Sequence, residues 1–334
     1  MKIDGFLIAM ASAIVLALLF PWVGMDDGPV HLGILTTIGI AGVFFLHGAN
    51  LAPKALRDGA LHWRLHLLVQ GTTFLFFPLI GAALYFASEG WLPDGLRLGF
   101  FYLGALSSTI SSSVAMTAMA RGNVAVAVFN ATLSGLIGMV ATPLLVRLVS
   151  TVGAGGPAVG EAILDILKTL LLPFALGQAC RPLIGAFLHR HKKVVSTLDR
   201  GVIVLIVFGS FAESTASGLW RQFSPQSFLI VTGLAAGMLA LALFFTISIS
   251  RLLKLDTADE AAAVFCGSKK SLANGAPIAK ILFAGNPAIG MIVLPVLLYH
   301  QIQLIVCASL ARRYALHIQR LAPLSEPSES AFQS

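Results

Sequence analysis

Apolar residues run through this chain in long blocks, and most polar residues fall between the blocks. Blocks of about 20 residues, the length an α-helix needs to cross a hydrocarbon core, lie at 5–23, 31–52, 65–88, 97–119, 123–150, 160–189, 200–219, 226–252, 259–284 and 287–314. A backbone in lipid must satisfy its own hydrogen bonds. The pattern therefore predicts an all-α polytopic membrane protein with ten transmembrane helices. Blocks four and five are separated only by Ala120-Arg121-Gly122-Asn123, and blocks nine and ten only by Gly285-Asn286-Pro287. Gly122 reads as the residue that permits the sharp reversal in the first of these turns.

Two blocks are interrupted from within. Block nine contains Phe265-Cys266-Gly267-Ser268-Lys269-Lys270-Ser271-Leu272-Ala273-Asn274-Gly275. A charged side chain at the bilayer centre costs about 2.5–3.5 kcal/mol on insertion scales, and here two adjacent lysines sit inside an apolar block. Irregular backbone at that depth is tolerated only inside protein or beside a water-filled cavity. Block four carries Ser107-Ser108-Thr109-Ile110-Ser111-Ser112-Ser113, and each interrupted block is followed by Gly-Asn, at Gly122-Asn123 and Gly285-Asn286. Interruptions in corresponding places of two halves point to a transporter site. The halves are read as 1–155 and 156–318, oppositely oriented because five is odd, with a disordered tail at 319–334.

Composition narrows the class. The chain is 57% hydrophobic and 11% charged, with mean hydropathy +0.88, against about 25% charged residues in ordinary soluble chains. The net charge of +7 is not the mark of a nucleic-acid binder, because its distribution follows membrane topology. With a cytoplasmic N-terminus, Lys54, Arg57, Arg64, Arg121, Arg181, Arg190, Lys192, Lys193, Arg200, Arg251 and Lys254 fall in inner loops. Asp26, Asp27, Glu89 and Asp94 fall in outer loops, with Arg97 and Arg221 as the only outer cations. This obeys the positive-inside rule and puts both termini in the cytoplasm. Cys180, Cys266 and Cys307 show no metal-type spacing. No nucleophile elbow, metal motif or nucleotide loop is present, so the sequence does not read as an enzyme, and uphill transport would draw on an ion gradient.

The candidate site residues are those whose chemistry is out of place in lipid. Lys269 and Lys270 would point about 100° apart on a regular helix, so both face one cavity only if the helix is broken. One reading has them bind an anion or exchange protons; the other has one cap the broken carbonyls while its neighbour snorkels. Ser268 and Ser271 flank the pair, and Ser111, Ser112 and Ser113 form the matching run. Small residues at such places also serve close helix packing. Asn130 and His300 are buried polar candidates, with Glu213, His47 and Lys280 in second rank.

These motifs resemble the bile acid:sodium symporter family, and most closely its bacterial branch similar to mammalian solute carrier family 10 member 7. The resemblance rests on Ser111-Ser112-Ser113 with Ala120-Arg121-Gly122-Asn123-Val124, on Gly267-Ser268-Lys269-Lys270-Ser271-Leu272 with Phe283-Ala284-Gly285, and on Leu294-Pro295 and Tyr299-His300. It implies two inverted five-helix repeats. Spans 1, 2, 6 and 7 would form a panel, spans 3–5 and 8–10 a core, with broken helices 4 and 9 crossing near the midplane. Sodium-coupled members carry an acid followed by a Gln-Asn pair, where this chain has Phe265, Lys269 and Lys270. Sodium coupling is therefore doubtful here. Ser111, Ser112, Asn130 and Ser134 still offer the oxygen ligands that Na⁺ prefers. The resemblance implies a secondary active transporter of a small organic, anionic solute, with Na⁺ or H⁺ as coupling ion and no other cofactor. The competing expectation is a non-transporting membrane regulator of calcium homeostasis or envelope processes.

Overall fold

The computed structural model describes residues 5–26, 28–50, 62–150, 167–222 and 224–321. The described residues are helical with no strand. The helices are α1 (Gly5–Leu19), α2 (Leu32–Asn50), α3 (Trp63–Ala87), α4 (Asp94–Ala105), α5 (Ile110–Met119), α6 (Val124–Ser150), α7 (Leu172–Arg190), α8 (Lys192–Ala216), α9 (Pro225–Leu252), α10 (Thr257–Gly267), α11 (Leu272–Leu282) and α12 (Ile289–Leu321). Among them, α2, α3, α6, α7, α8, α9 and α12 are long and apolar enough to cross a membrane, and α4 with α5, bent by 59° at their break, adds an eighth span. The outer surface is apolar, with Leu183, Phe244 and Leu229 each more than two-thirds exposed, which suits lipid rather than water as the surrounding solvent.

Several block boundaries move. Block seven, read as starting at 200, is a helix from Lys192, and only His191 separates it from α7. Lys192, Lys193 and Arg200 therefore lie on the first turns of α8, not in a loop. Arg97, read as an outer-loop cation, is buried within α4, bonded to Asp94 and to the Tyr85 carbonyl. The last block continues to Leu321, which makes the first residues of the supposed tail, 319–321, helical. Lys54, Arg57 and the rest of the tail lie outside the described residues.

The helices pack in two groups. α2 lies along α7, and α8 packs on α1 and α2. The α2–α7 contact is backbone against backbone: a Cβ on Gly48 would sit 2.0 Å from the Phe174 carbonyl oxygen, and one on Gly177 would sit 1.9 Å from that of Phe45. Small residues are what permit such an approach in a membrane. In the second group α4 packs on α3, α6 and α12, while α10 packs on α3, α5, α6 and α9. α8 meets this group through α11 and α12.

The turn between α5 and α6 reverses at Arg121 (φ +58°), not at Gly122. Gly122 is needed for space instead, because a Cβ there would lie 2.9 Å from the Ala261 Cβ. In the matching turn before α12 the positive φ is carried by a glycine, Gly285 at +72°.

Candidate functional site

The two interrupted blocks are broken helices that touch at their breaks. The first break, Leu106–Thr109, separates α4 from α5, and the second, Ser268–Ser271, separates α10 from α11. The Ser271 N–H donates to the Ser107 carbonyl at 2.9 Å, and Ser108 Oγ donates to the Cys266 carbonyl at 2.6 Å. Asn274 Nδ2 donates to Ser107 Oγ at 3.1 Å. A helix end leaves carbonyls without partners, and each break supplies groups that satisfy the other.

Lys270 is at the centre of this exchange. Its side chain is fully buried, and its ammonium donates to three backbone carbonyls: Thr73 at 2.9 Å, Gly104 at 2.8 Å and Leu106 at 2.6 Å. Each of these oxygens is free for a local reason. Gly104 and Leu106 lie at the C-terminus of α4, where the partial charge is negative. Thr73 lies in a π-helical turn, Thr72–Phe76, in which the Phe77 N–H reaches back to Thr72. The next residue, Pro78, has no N–H to offer Thr73. The Phe77 ring lies 4.2 Å from the same ammonium, close enough for a cation–π contact. The Lys270 peptide is held separately: its N–H donates to Gln303 Oε1, and its carbonyl accepts from Gln303 Nε2, both at 2.9 Å.

Lys269 is equally buried, but its ammonium has one hydrogen bond, to the Ser112 carbonyl at 2.9 Å, with Cys266 and Cys307 as electrostatic neighbours. Neither lysine is on the wall of the cavity described next.

The cavity lies beside the breaks. It has a volume of about 430 Å³, within the range of small-ligand pockets. One wall is made by the first turns of α5 and α11, with Thr109, Ser111, Ser271 and Asn274. Thr109 is the residue before α5, and Ser271 caps α11 by accepting from the Asn274 N–H. Two helix N-termini, each a centre of positive potential, thus border one space. The facing wall comes from α2, α7 and α8 and includes His47, Asp199 and Lys192. His47 Nε2 is 3.5 Å from Asp199 Oδ1.

The far ends of the same elements are closed. Lys280 makes a two-pronged ion pair with Asp26, at 2.6 and 2.7 Å. Glu213 Oε1 accepts from the Asp26 N–H at 2.9 Å. Ser214 Oγ donates to the Pro287 carbonyl and accepts from the Gly290 N–H. Lys280 is eight residues beyond the start of α11, about 12 Å at 1.5 Å per residue. Glu213 lies fourteen residues past Asp199 on α8, about 21 Å along the helix axis.

The remaining candidates divide accordingly. Ser111 and Ser271 are on the cavity wall, and His47 faces them from α2. Ser112 Oγ donates to Thr109 Oγ1, and Ser134 Oγ accepts from the Ser108 N–H. Ser268 Oγ bonds back to the Val264 carbonyl, while Ser113 Oγ is buried without a partner. Asn130 is fully buried, donates to the Val126 carbonyl and takes bonds from Gln70. Its bonds tie α6 to α3, while Ser111 stands on the cavity wall. His300 is paired with Gln303. Among the described residues no cluster of His, Cys, Asp or Glu suits a metal ion. Sequence reasoning passed over Asp199, Lys192, Thr109 and Asn274 on the cavity wall, together with Gln303 behind it.

Known proteins resemble the chain along nearly its whole length. The model of the SBF-like CPA transporter family matches residues 4–316. The chain belongs to that family. An uncharacterized protein of Pseudomonas aeruginosa is 45% identical over 313 residues, covering 93% of each chain. A putative symporter of Escherichia coli, YfeH, is 42% identical over 98% of this chain and 97% of its own. Sodium/bile acid cotransporter 7 of Danio rerio is 30% identical over 90% of each chain. The family is one of transporters and not of enzymes. The chain is an integral membrane protein.

Proposed function

We propose that the chain is a ten-span secondary active transporter, built as two inverted five-helix repeats, that carries a small organic anion by alternating access. The observation that carries this reading is the meeting of two helix N-termini, those of α5 and α11, on one cavity of about 430 Å³. Preorganised N–H groups and aligned dipoles favour a carboxylate or similar head there. The cavity lies between the breaks and the group formed by α1, α2, α7 and α8, which corresponds to a panel facing a core. Away from His47 and Asp199, the Lys280–Asp26 pair ties α11 to the segment between α1 and α2, as a closed gate of an alternating-access cycle would. The loop charges support an inner-membrane location with both termini cytoplasmic.

The coupling gradient we favour is protonic. Both lysines of the second break are engaged with backbone carbonyls, and Asp199 is the single carboxylate on the described cavity wall, beside His47. A cavity bordered by two helix N-termini supports solute binding at this site, which uptake into proteoliposomes separates from a regulator without transport.

The test is a thermal-stability screen of purified protein against small carboxylates and sulfonates, with NaCl compared to choline chloride. A ligand that binds the folded state alone raises stability with concentration. Gly135 lines the cavity, and a Cβ there meets nothing closer than 3.9 Å, so Gly135→Leu starts a bulky side chain from an open position on the cavity wall. Stabilisation of the wild type that Gly135→Leu abolishes, followed by uptake of that anion into proteoliposomes, supports the reading. If no anion stabilises the wild type, the reading fails.

A further inference from the structure

The surroundings of the Lys270 ammonium have the make-up of a cation site more than of a lysine pocket. Three backbone carbonyl oxygens from two separate elements converge on one point at 2.6–2.9 Å. No carboxylate takes part. An aromatic face closes a fourth side at 4.2 Å. Carbonyl oxygens of this kind replace the hydration shell of a small monovalent ion in channels. The carbonyls are also not placed by the lysine's own helix. Thr73 is freed by the π turn and Pro78, and Gly104 and Leu106 by the end of α4. They would be orphaned with or without a lysine nearby, and buried orphaned acceptors need a donor or a cation.

We infer that this carbonyl cage is a monovalent-cation site whose cation is carried on the chain, and that removing the Lys270 side chain leaves a site for a free small cation. The occupant class is set by chemistry. The oxygens are neutral, few and main-chain, which suits a single charge: Na⁺, K⁺ or a primary ammonium such as methylammonium. A divalent ion would lack the anionic ligands it prefers. Choline, with its bulky quaternary head and no N–H, is the control that does not fit. The tether explains why one break can neutralise the other without drawing an ion from solution. Lys269 does not share this role, since its ammonium has one carbonyl rather than three. The inference stands apart from the transport reading, because it concerns stability and needs no solute.

The experiment compares wild type, Lys270→Ala and Lys270→Met in choline chloride, NaCl, KCl and methylammonium chloride at equal ionic strength. The Ala variant empties the cage; the Met variant fills most of it with an uncharged stem. The expected result is a melting temperature for Lys270→Ala that rises by about 5 °C or more from choline to at least one small cation. Wild type and Lys270→Met should show no comparable rise. The same variants are solubilised from membranes in each salt, and the monodisperse fraction is read by size-exclusion chromatography. This keeps the test decisive should Lys270→Ala be too unstable to purify in choline. A small-cation response of Lys270→Ala no larger than that of Lys270→Met, or a folded fraction equally low in every salt, overturns the inference.

Discussion

Lys280, near the end of α11, holds both carboxylate oxygens of Asp26, a residue of the segment between α1 and α2, at 2.6 and 2.7 Å. The lysine side chain is only 10% exposed, so the pair is shielded from most solvent screening. It joins the two packed groups on the side away from the cavity.

If that pair closes one side, breaking it should open that side. Lys280→Gln removes the charge and keeps much of the length. Ser111 is exposed on the cavity wall, so Ser111→Cys in a Cys180→Ser background is a suitable reporter. Cys266 and Cys307 are buried. An impermeant maleimide should label Ser111→Cys from one membrane face. With Lys280→Gln added, labelling should appear from both faces. Labelling that stays one-sided would show the pair is not a closure.

The two adjacent lysines should differ sharply on substitution. Lys270→Met strands three buried carbonyls, and an unsatisfied buried polar group costs about 1–3 kcal/mol. Lys269→Met strands one, the Ser112 carbonyl; both changes remove one buried charge, so the number of stranded carbonyls sets them apart. Melting temperatures in choline should therefore rank wild type near Lys269→Met, with Lys270→Met well below both. The reverse order would mean the hydrogen bonds described here do not control stability.

Gln303 is expected to be structural and intolerant. It bonds both the N–H and the carbonyl of the Lys270 peptide, the pairing one strand would give another. Gln303→Leu leaves both unmet and should lower stability by about 2–4 kcal/mol. Gln303→Glu keeps the acceptor and should be less damaging. Chemical or thermal unfolding of the two variants side by side checks the order.

Glycine substitutions separate close packing from free surface. Gly177→Ala would drive a Cβ to 1.9 Å from the Phe45 carbonyl oxygen, where backbone meets backbone and neither can yield cheaply. The folded yield of that variant should collapse. Gly237→Ala, with nothing within 4 Å, should leave yield unchanged or gain slightly from helix propensity.

Much of this was written plainly in the chain. The breaks at Leu106–Thr109 and Ser268–Ser271 announce themselves because charged and small polar residues interrupt apolar blocks, and lipid penalises that arrangement unless the protein uses it. The alternative that one lysine caps broken carbonyls describes Lys270 well. The π turn at Thr72–Phe76 was hidden, since its residues have the same apolar character as an α-helix; Pro78 was the one local cue. Asp199 was missed for a different reason. Hydropathy locates the apolar part of a helix, and the first turns of α8 are too polar to register, so Asp199 falls one residue outside block seven. Gly122 was assigned to the right turn for the wrong cause, because sequence alone cannot distinguish a positive φ from a tight contact.

The Lys270 ammonium fastens three separate pieces of backbone: the π turn of α3, the end of α4 and, through its own main chain, the junction of α10 and α11. Buried hydrogen bonds of this kind are not given up at each turn of a cycle. The wall that carries both helix N-termini is thus riveted from behind. In the alternating-access cycle proposed above, that wall would travel as one rigid block, and the sliding surface would lie in front of it, along α2 and α8.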